Sequence, residues 1–276
     1  MKRSGKNKDK KCVLSIDVGL LNLAVCCVHL NDDEGDQRDP TSQFDIRLWE
    51  LINVVGGGDT PEGPCKYLVG DRNCKRKGTC LDGDGLLCKQ HAKACNVVVP
   101  VVKKIQVKNV NMQDIVLKIL NALDDLCYRY HDLLQQVDSV VIEKQPMENK
   151  KMQMVSHIVY AHFIRFYNGR VPVTLLPAYH KLSVYDGPEV PCTLKTKYAQ
   201  RKFLGVQYTV WFLENKVFDH MSWMTLFKGQ SKKDDLADAF LQGLFSLVGV
   251  AQVEQGGSSG GTPRKVRKYR KKKLHF

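Results

Sequence analysis

The sequence predicts an α/β fold built on a mixed sheet, and three observations carry that prediction. Three β-rich runs follow one another between residues 13 and 52 with turn signals between them. Two further apolar runs, Val140–Ile142 and Val171–Leu176, are separated by a helical stretch. Two long helical stretches then close the chain. Consecutive strands joined directly pair antiparallel, whereas strands separated by a helix pair parallel, so one sheet is expected to contain both.

Each element has its own justification. Val13 to Ile16 is a short apolar β-branched run ending at Asp17 and Gly19. Leu23–Leu30 and Phe44–Ile52 are the second and third strands, joined by an acidic Asn31–Pro40 connection longer than a usual hairpin loop. Gly56-Gly57-Gly58 and Pro61–Pro64 then break the pattern before a cysteine-rich segment. Val97–Val107 is β-rich, but Pro100 restricts it to an edge strand or connector. From Met112 to about Gln136 apolar residues recur at helical spacing, with Asn109 or Asn111 as the cap. Val140–Ile142 is a buried strand with Glu143 at its end, and residues 150–167 form a helix closed by Gly169. Val171–Leu176 is the fifth strand, Thr193–Glu214 a long helix, and Ser231 caps a last helix from Lys232 to about Val248. The chain thus divides into a basic arm (1–11), a main domain (12–250) with an insertion at 56–96, and a flexible linker with a basic tail (251–276).

The net charge of +13 belongs to the ends of the chain. Residues 1–11 carry six bases against Asp9, and residues 264–273 carry eight bases and no acid, so everything between is balanced. Such runs bind polyanions through counterion release with little sequence preference, and they also serve as addresses. A nucleic-acid partner is favoured over an acidic small molecule. No run approaches the ~20 apolar residues that span a bilayer, and no apolar segment follows the basic N-terminus, so neither membrane insertion nor secretion is expected. Ten cysteines in a chain read as intracellular point to thiols or metal ligands rather than disulfides.

Four carboxylates occupy places suited to chemistry. Asp17 follows the first strand, Glu143 follows a later buried strand, and Asp235 and Asp238 lie three apart on one helix face. Each alone has a plain reading as a turn, cap or dipole partner. Gathered at the strand ends of a mixed sheet, they would repel unless cations sat between them, and hard oxygen donors suit Mg²⁺ or Mn²⁺. Two such ions about 4 Å apart support in-line phosphodiester hydrolysis.

The flanks of these acids carry a resemblance. Ser15-Ile16-Asp17-Val18-Gly19-Leu20-Leu21-Asn22-Leu23-Ala24 resembles the first motif of the RuvC-like resolvases of poxviruses and other large DNA viruses. Val141-Ile142-Glu143-Lys144-Gln145-Pro146 is similar to their second motif, shared by fungal mitochondrial resolvases, and Lys232-Lys233-Asp234-Asp235-Leu236-Ala237-Asp238-Ala239 to their closing helix. The resemblance covers residues 12–30, 138–165 and 193–248. It implies an RNase H-like five-stranded mixed sheet flanked by helices, a homodimer, and two symmetric nicks that resolve a four-way (Holliday) junction. It implies Asp17, Glu143, Asp235 and Asp238 as ligands of two Mg²⁺ or Mn²⁺ ions, with Lys233 near the scissile phosphate. Lys195, Lys197, Arg201 and Lys202 become candidates for DNA backbone contacts. The expected location is the nucleus or a cytoplasmic site of viral replication. The helix at 150–167, with Met152, Met154, Ile158, Phe163 and Phe166, is a candidate dimer face or plain core. The insertion and the basic tails depart from the compact viral pattern.

The insertion reads Cys65, Cys74, Cys80, Cys88, His91, Cys95, and Cys88-x2-His91 is a good metal half-site. Zinc takes four N/S ligands, and a segment this short and polar needs such a staple. The set read from spacing is Cys65, Cys80, Cys88 and His91, with Cys74 as the alternate, and the segment resembles small zinc knuckles in proteins of large DNA viruses. Two alternatives remain to the junction nuclease. One is a related nuclease acting on RNA–DNA hybrids or flaps, and the other a non-catalytic zinc-containing nucleic-acid-binding protein.

Overall fold

The computed structural model describes residues 12–31, 43–54, 63–70, 72–83, 85–97 and 110–255. Both basic runs, the acidic connection after Asn31 and the expected β-run after Val97 lie outside the described residues.

The chain opens as a meander. Strand β1 (Cys12–Val18) pairs antiparallel with β2 (Asn22–Leu30), which pairs antiparallel with β3 (Phe44–Asn53). Gly19 makes the first turn possible, because a Cβ there would lie 2.6 Å from the Asn22 carbonyl oxygen. The insertion contributes two small hairpins, β4 (Leu68–Val69) with β5 (Arg72–Asn73) and β6 (Cys80–Asp82) with β7 (Gly85–Leu87), then the short helix α1 (Lys89–Ala94). Helix α2 (Met112–Arg129) starts where Asn111 Oδ1 accepts the Gln113 N–H at 3.0 Å, and a short α3 (His131–Leu134) follows. Strand β8 (Ser139–Lys144) then pairs parallel with β1. Helix α4 (Lys150–Phe166) returns the chain to β9 (Val173–Pro177), parallel to β8. A 3-10 turn (Lys181–Val184) leads to α5 (Lys197–Lys216), α6 (His220–Gly229) and α7 (Lys233–Gln255).

The main sheet has the order β3-β2-β1-β8-β9. It is mixed and five-stranded with helices on both faces, the architecture that the resemblance implies. The two-residue period of a strand sorts β1 between two cores. Leu14, Ile16 and Val18 face α2 and α4, where Ile115, Ile119, Leu123, Val159 and Phe163 are buried. Val13 points the other way, toward Phe212 of α5, Phe227 of α6, and Leu236, Phe240 and Leu244 of α7. Each large apolar side chain withdrawn from water in this way stabilises the fold by about 1.5–3 kcal/mol.

Helix α7 lies unusually close to the sheet. A Cβ on Gly243 would sit 3.2 Å from Ser15 Cβ and 3.4 Å from Val28 Cγ2, so only glycine allows this approach without displacement. One residue earlier, the buried Gln242 donates from Nε2 to Ser15 Oγ (3.2 Å), the Ile16 carbonyl (3.3 Å) and the Val141 carbonyl (3.3 Å). That amide ties the helix to β1 and β8 together. Trp49 of β3 adds a third anchor, donating its indole N–H to the Leu236 carbonyl at 3.1 Å and stacking on Phe227 at 5.2 Å.

Several boundaries differ from expectation for local reasons. Asp17 and Glu143 lie inside their strands rather than after them. Helix α5 starts at Lys197, not Thr193, because Thr196 Oγ1 accepts the Ala199 N–H at 3.1 Å and fixes the cap there. Helix α7 continues to Gln255, since nothing before Gly256 breaks it. Among the described residues no helix is long and apolar enough to cross a membrane.

Candidate active site

Two central strands set the first two acids. The parallel register aligns Ile16 with Ile142, so the next residue of each strand, Asp17 and Glu143, comes side by side on the face toward α7. Helix α4 steadies the end of β8, where Ser156 Oγ donates to the Glu143 carbonyl at 3.3 Å. Helix α7, held by Gln242 and Gly243, brings Asp238 down onto the pair. Asp17, Glu143 and Asp238 each place a carboxylate oxygen within 4.8 Å of the other two.

Asp235 lies outside that trio. It sits one turn earlier on α7, half-buried, and close enough to Asp238 for their charges to be felt. Lys233 opens the same helix. The amine that meets the acids is a different one, Lys181, which the sequence reading did not single out. Its Nζ donates to Glu143 Oε2 at 2.8 Å and to Asp238 Oδ2 at 2.6 Å. The backbone of Lys181 is pinned on both sides. His180 stacks on Phe245 of α7 at 4.8 Å, and Leu182 and Val184 pack against the α5–α7 core.

The electrostatics follow from burial and crowding. Burial, then the charges of Glu143 and Asp238, push the Asp17 carboxyl well above the usual range. Burial also raises Asp238, to about 6, even though Lys181 opposes it. Asp235 is raised by burial and by neighbouring Asp234. Burial alone would lower Lys181, but Asp238, Glu143 and Asp17 overcome it and hold the ammonium above the ordinary lysine value. The arrangement is therefore a partly buried acidic trio with one tethered cation, poised between protons, lysine and any metal ion that enters.

The donor set fits a hard divalent cation. Carboxylate oxygens from three elements meet at one point, and Asp235 stands a helical turn away. Gly205 of α5 borders this point, where a Cβ would make only ordinary contact, 3.7 Å from Asp238 Oδ1.

The expected backbone-contact residues separate into two groups. Lys195, Lys197 and Arg201 are exposed around the start of α5. Lys202 is engaged instead, with its ammonium paired to Asp234 and lying 5.1 Å from the Tyr198 ring centre. It joins α5 to the first turn of α7 rather than standing ready for phosphate. On α4, Phe163 is fully buried and Met152, Ile158 and Phe166 pack against the core, so most of the candidate dimer face is core. Met154 remains exposed.

In the insertion the alternate cysteine takes the place of the expected one. Cys65, Cys74, Cys88 and His91 bring their ligand atoms within 4.8 Å of one another, and Cys80 is not part of that group. Spacing could not decide this, because the β4–β5 hairpin folds Cys74 back toward Cys65. The Cys88 thiol is lowered to about 7, chiefly by the backbone N–H of His91 at the start of α1.

No protein-family model matches the chain. The uncharacterized protein L451 of Acanthamoeba polyphaga mimivirus is 30% identical over 143 residues, which cover 47% of this chain. The match spans only 33% of that relative's length. Among solved structures, the yeast mitochondrial Holliday junction resolvase Ydc2 is 16% identical, with a TM-score of 0.49 over 91% of this chain and 85% of that one. Fowlpox virus resolvase, solved with its substrate Holliday junction DNA, is 12% identical, with a TM-score of 0.44 over 87% and 98%. RuvC of T. thermophilus, in complex with a Holliday junction substrate, is 11% identical, with a TM-score of 0.40 over 86% and 96%. These are similarities of fold.

Proposed function

We propose that this chain is a divalent-metal-dependent endonuclease that cuts four-way DNA junctions. One observation carries the reading: Asp17, Glu143 and Asp238, far apart in sequence, converge with Lys181 at a single point on the sheet. A structural role does not account for that. Three partly buried carboxylates side by side cost stability, and Asp17 and Asp238 resist ionising there.

Asp17, Glu143 and Asp238, with Asp235, would hold Mg²⁺ or Mn²⁺. Such an ion, or a pair of them, lowers the proton affinity of water and stabilises charge on a leaving oxygen. The chain's own residues do the rest. Asp17 and Glu143 are fixed by strand backbone on either side, so the acids are held in place before substrate arrives. Among the described residues Lys181 is the cation placed against them, and a phosphodiester that meets the trio brings the anion that Lys181 can follow. Lys195, Lys197 and Arg201 supply exposed charge for the DNA backbone, which suits recognition by shape rather than by base sequence. A homodimer would present two such sites to a two-fold junction. The exposed row Met154, His157, Ala161 and Ile164 on α4 is the face offered to a second copy.

The test is cleavage of a labelled four-way junction with and without Mg²⁺ or Mn²⁺, beside an RNA–DNA hybrid and a flap. Paired nicks in opposed strands of the junction are expected, and Asp17→Asn and Asp238→Asn should bind the junction without cutting it. Cutting of the hybrid or flap in preference moves the assignment to the related nuclease classes. A junction left intact with either metal removes the reading.

A further inference from the structure

The insertion carries a second metal-binding constellation unrelated to the acidic site. We propose that Cys65, Cys74, Cys88 and His91 bind one structural zinc ion tetrahedrally, and that Cys80 and Cys95 are not ligands. His91 Nδ1 lies 3.4 Å from Cys65 Sγ and 3.4 Å from Cys88 Sγ. Around a tetrahedral zinc, with bonds of about 2.3 Å to sulfur and about 2.0 Å to nitrogen, a sulfur and a nitrogen stand about 3.5 Å apart. His91, Cys65 and Cys88 are thus already spaced as corners of one coordination shell, and the Cys74 sulfur lies within 4.8 Å of each.

The elements explain how they arrive there. Cys65 and Cys74 flank the β4–β5 hairpin, closed by Cys74 N–H donating to the Tyr67 carbonyl at 2.9 Å. Cys88 caps α1 and His91 lies within that helix, so the two meet on its first turn. The Tyr67 ring stacks on the His91 imidazole at 4.0 Å between centres, holding Nδ1 toward the sulfurs. Cys80 opens β6, with its sulfur 3.6 Å from Thr79 Oγ1. Cys95 is exposed.

The local core shows why an ion is needed. Apart from the cysteines it consists of Leu87 and Ala92, with Val97 packed against them, beneath hairpins two and three residues long. So small a core does not offset the entropy of ordering the segment, and structural zinc supplies that kind of deficit. Three thiolates and one imidazole select zinc over magnesium, and four protein ligands leave no position for substrate. The ion would also fix Lys75, Arg76 and Lys77, which follow Cys74 directly. That stretch is tied to residues 63–65 by Cys65 N–H to the Arg76 carbonyl (2.9 Å) and Gly78 N–H to the Gly63 carbonyl (2.8 Å).

The full chain, purified without chelator, should contain one zinc per molecule by plasma mass spectrometry. Exchange with Co²⁺ should give thiolate charge-transfer bands and the intense visible bands of a tetrahedral site. Cys74→Ser and Cys88→Ser should lower the zinc content at least about tenfold under dilute competing chelator. Cys80→Ser should keep both metal and spectrum. A wild-type chain without zinc and without tetrahedral cobalt bands overturns the site. Metal lost from Cys80→Ser but kept by Cys74→Ser overturns the ligand assignment. Metal content is read without DNA, and Asp17→Asn must retain its zinc, so failure here is separate from failure of the nuclease reading.

Discussion

Replacing Lys181 by Met removes the cation that, among the described residues, sits at the centre of the acidic trio, while keeping most of the side-chain volume. Its Nζ contacts oxygens at 2.8 and 2.6 Å, and the Lys181, Glu143 and Asp238 side chains are only 11%, 14% and 24% exposed. Removing one member of such a buried network, with the others still charged, costs about 3–5 kcal/mol. The cost depends on pH, and its sign is fixed by the acids. Asp17 and Asp238 already bind protons more tightly in the folded chain than in the unfolded one, and without Lys181 they do so more strongly still. Protons bound by the folded state make stability fall as pH rises, so the deficit of the variant grows from about pH 4 to 7. The contribution of Lys181 itself, raised above the ordinary lysine value, is present throughout that range. Urea unfolding at pH 5 and pH 7.5, without added divalent metal, measures this directly. Trp49, Trp211 and Trp223 all pack in the α5–α7 layer and report it by fluorescence. The expected deficit is about 3–5 kcal/mol at pH 7.5 and below about 1.5 kcal/mol at pH 5. Added Mg²⁺ should recover much of the loss at the higher pH and bind the variant more tightly than wild type. A deficit equal at both pH values, or none, refutes the reasoning.

Asp17→Asn should abolish cleavage yet raise the melting temperature of the metal-free chain at pH 7.5, by about 2–4 °C for each kcal/mol of repulsion relieved. Differential scanning calorimetry checks it, and a lower melting temperature would contradict the burial argument. At limiting Mg²⁺, cleavage should rise from pH 5 to 7, because Asp238, at about 6, and Asp17 must give up protons before a cation binds. The Mg²⁺ concentration for half-maximal rate should fall over the same interval in a junction-cleavage titration. Gln242→Leu removes the amide that donates to Ser15 Oγ and two strand carbonyls, so chemical denaturation should show a loss of about 1–3 kcal/mol. Its cleavage rate should fall as well, since Asp238 rides on the same helix.

The acids were legible because each sits where the local pattern has a fixed geometric meaning. Asp17 and Glu143 end hydrophobic strand runs, and Asp235 and Asp238 share a helix face at a spacing of three. Lys181 offered no such sign. It lies in a segment of no regular period between Leu176 and Thr196, and only the packing of His180 and Leu182 against α7 and its neighbours turns it inward. Helix α6 was missed for a related reason, since it begins at Asp219 in the left-handed region (φ 51°) with no side-chain cap to announce it. Cys74 and Cys80 were indistinguishable by spacing because a hairpin brings either within reach, and the register of β4 with β5 decides between them. Lys202 read as a free charge because its partner, Asp234, lies on a helix that follows it by a long stretch of chain.

On the proposed nuclease reading, the order in which the acids appear along the polymer bears on when the site becomes complete. Asp17 is made before Glu143, and Asp238 comes last of the three, on α7, the last helix among the described residues. Until that helix has left the ribosome and closed over the sheet, neither the third carboxylate nor its apolar cover exists. On that reading a partly made chain, or one clipped ahead of residue 233, lacks the acid set needed for cleavage.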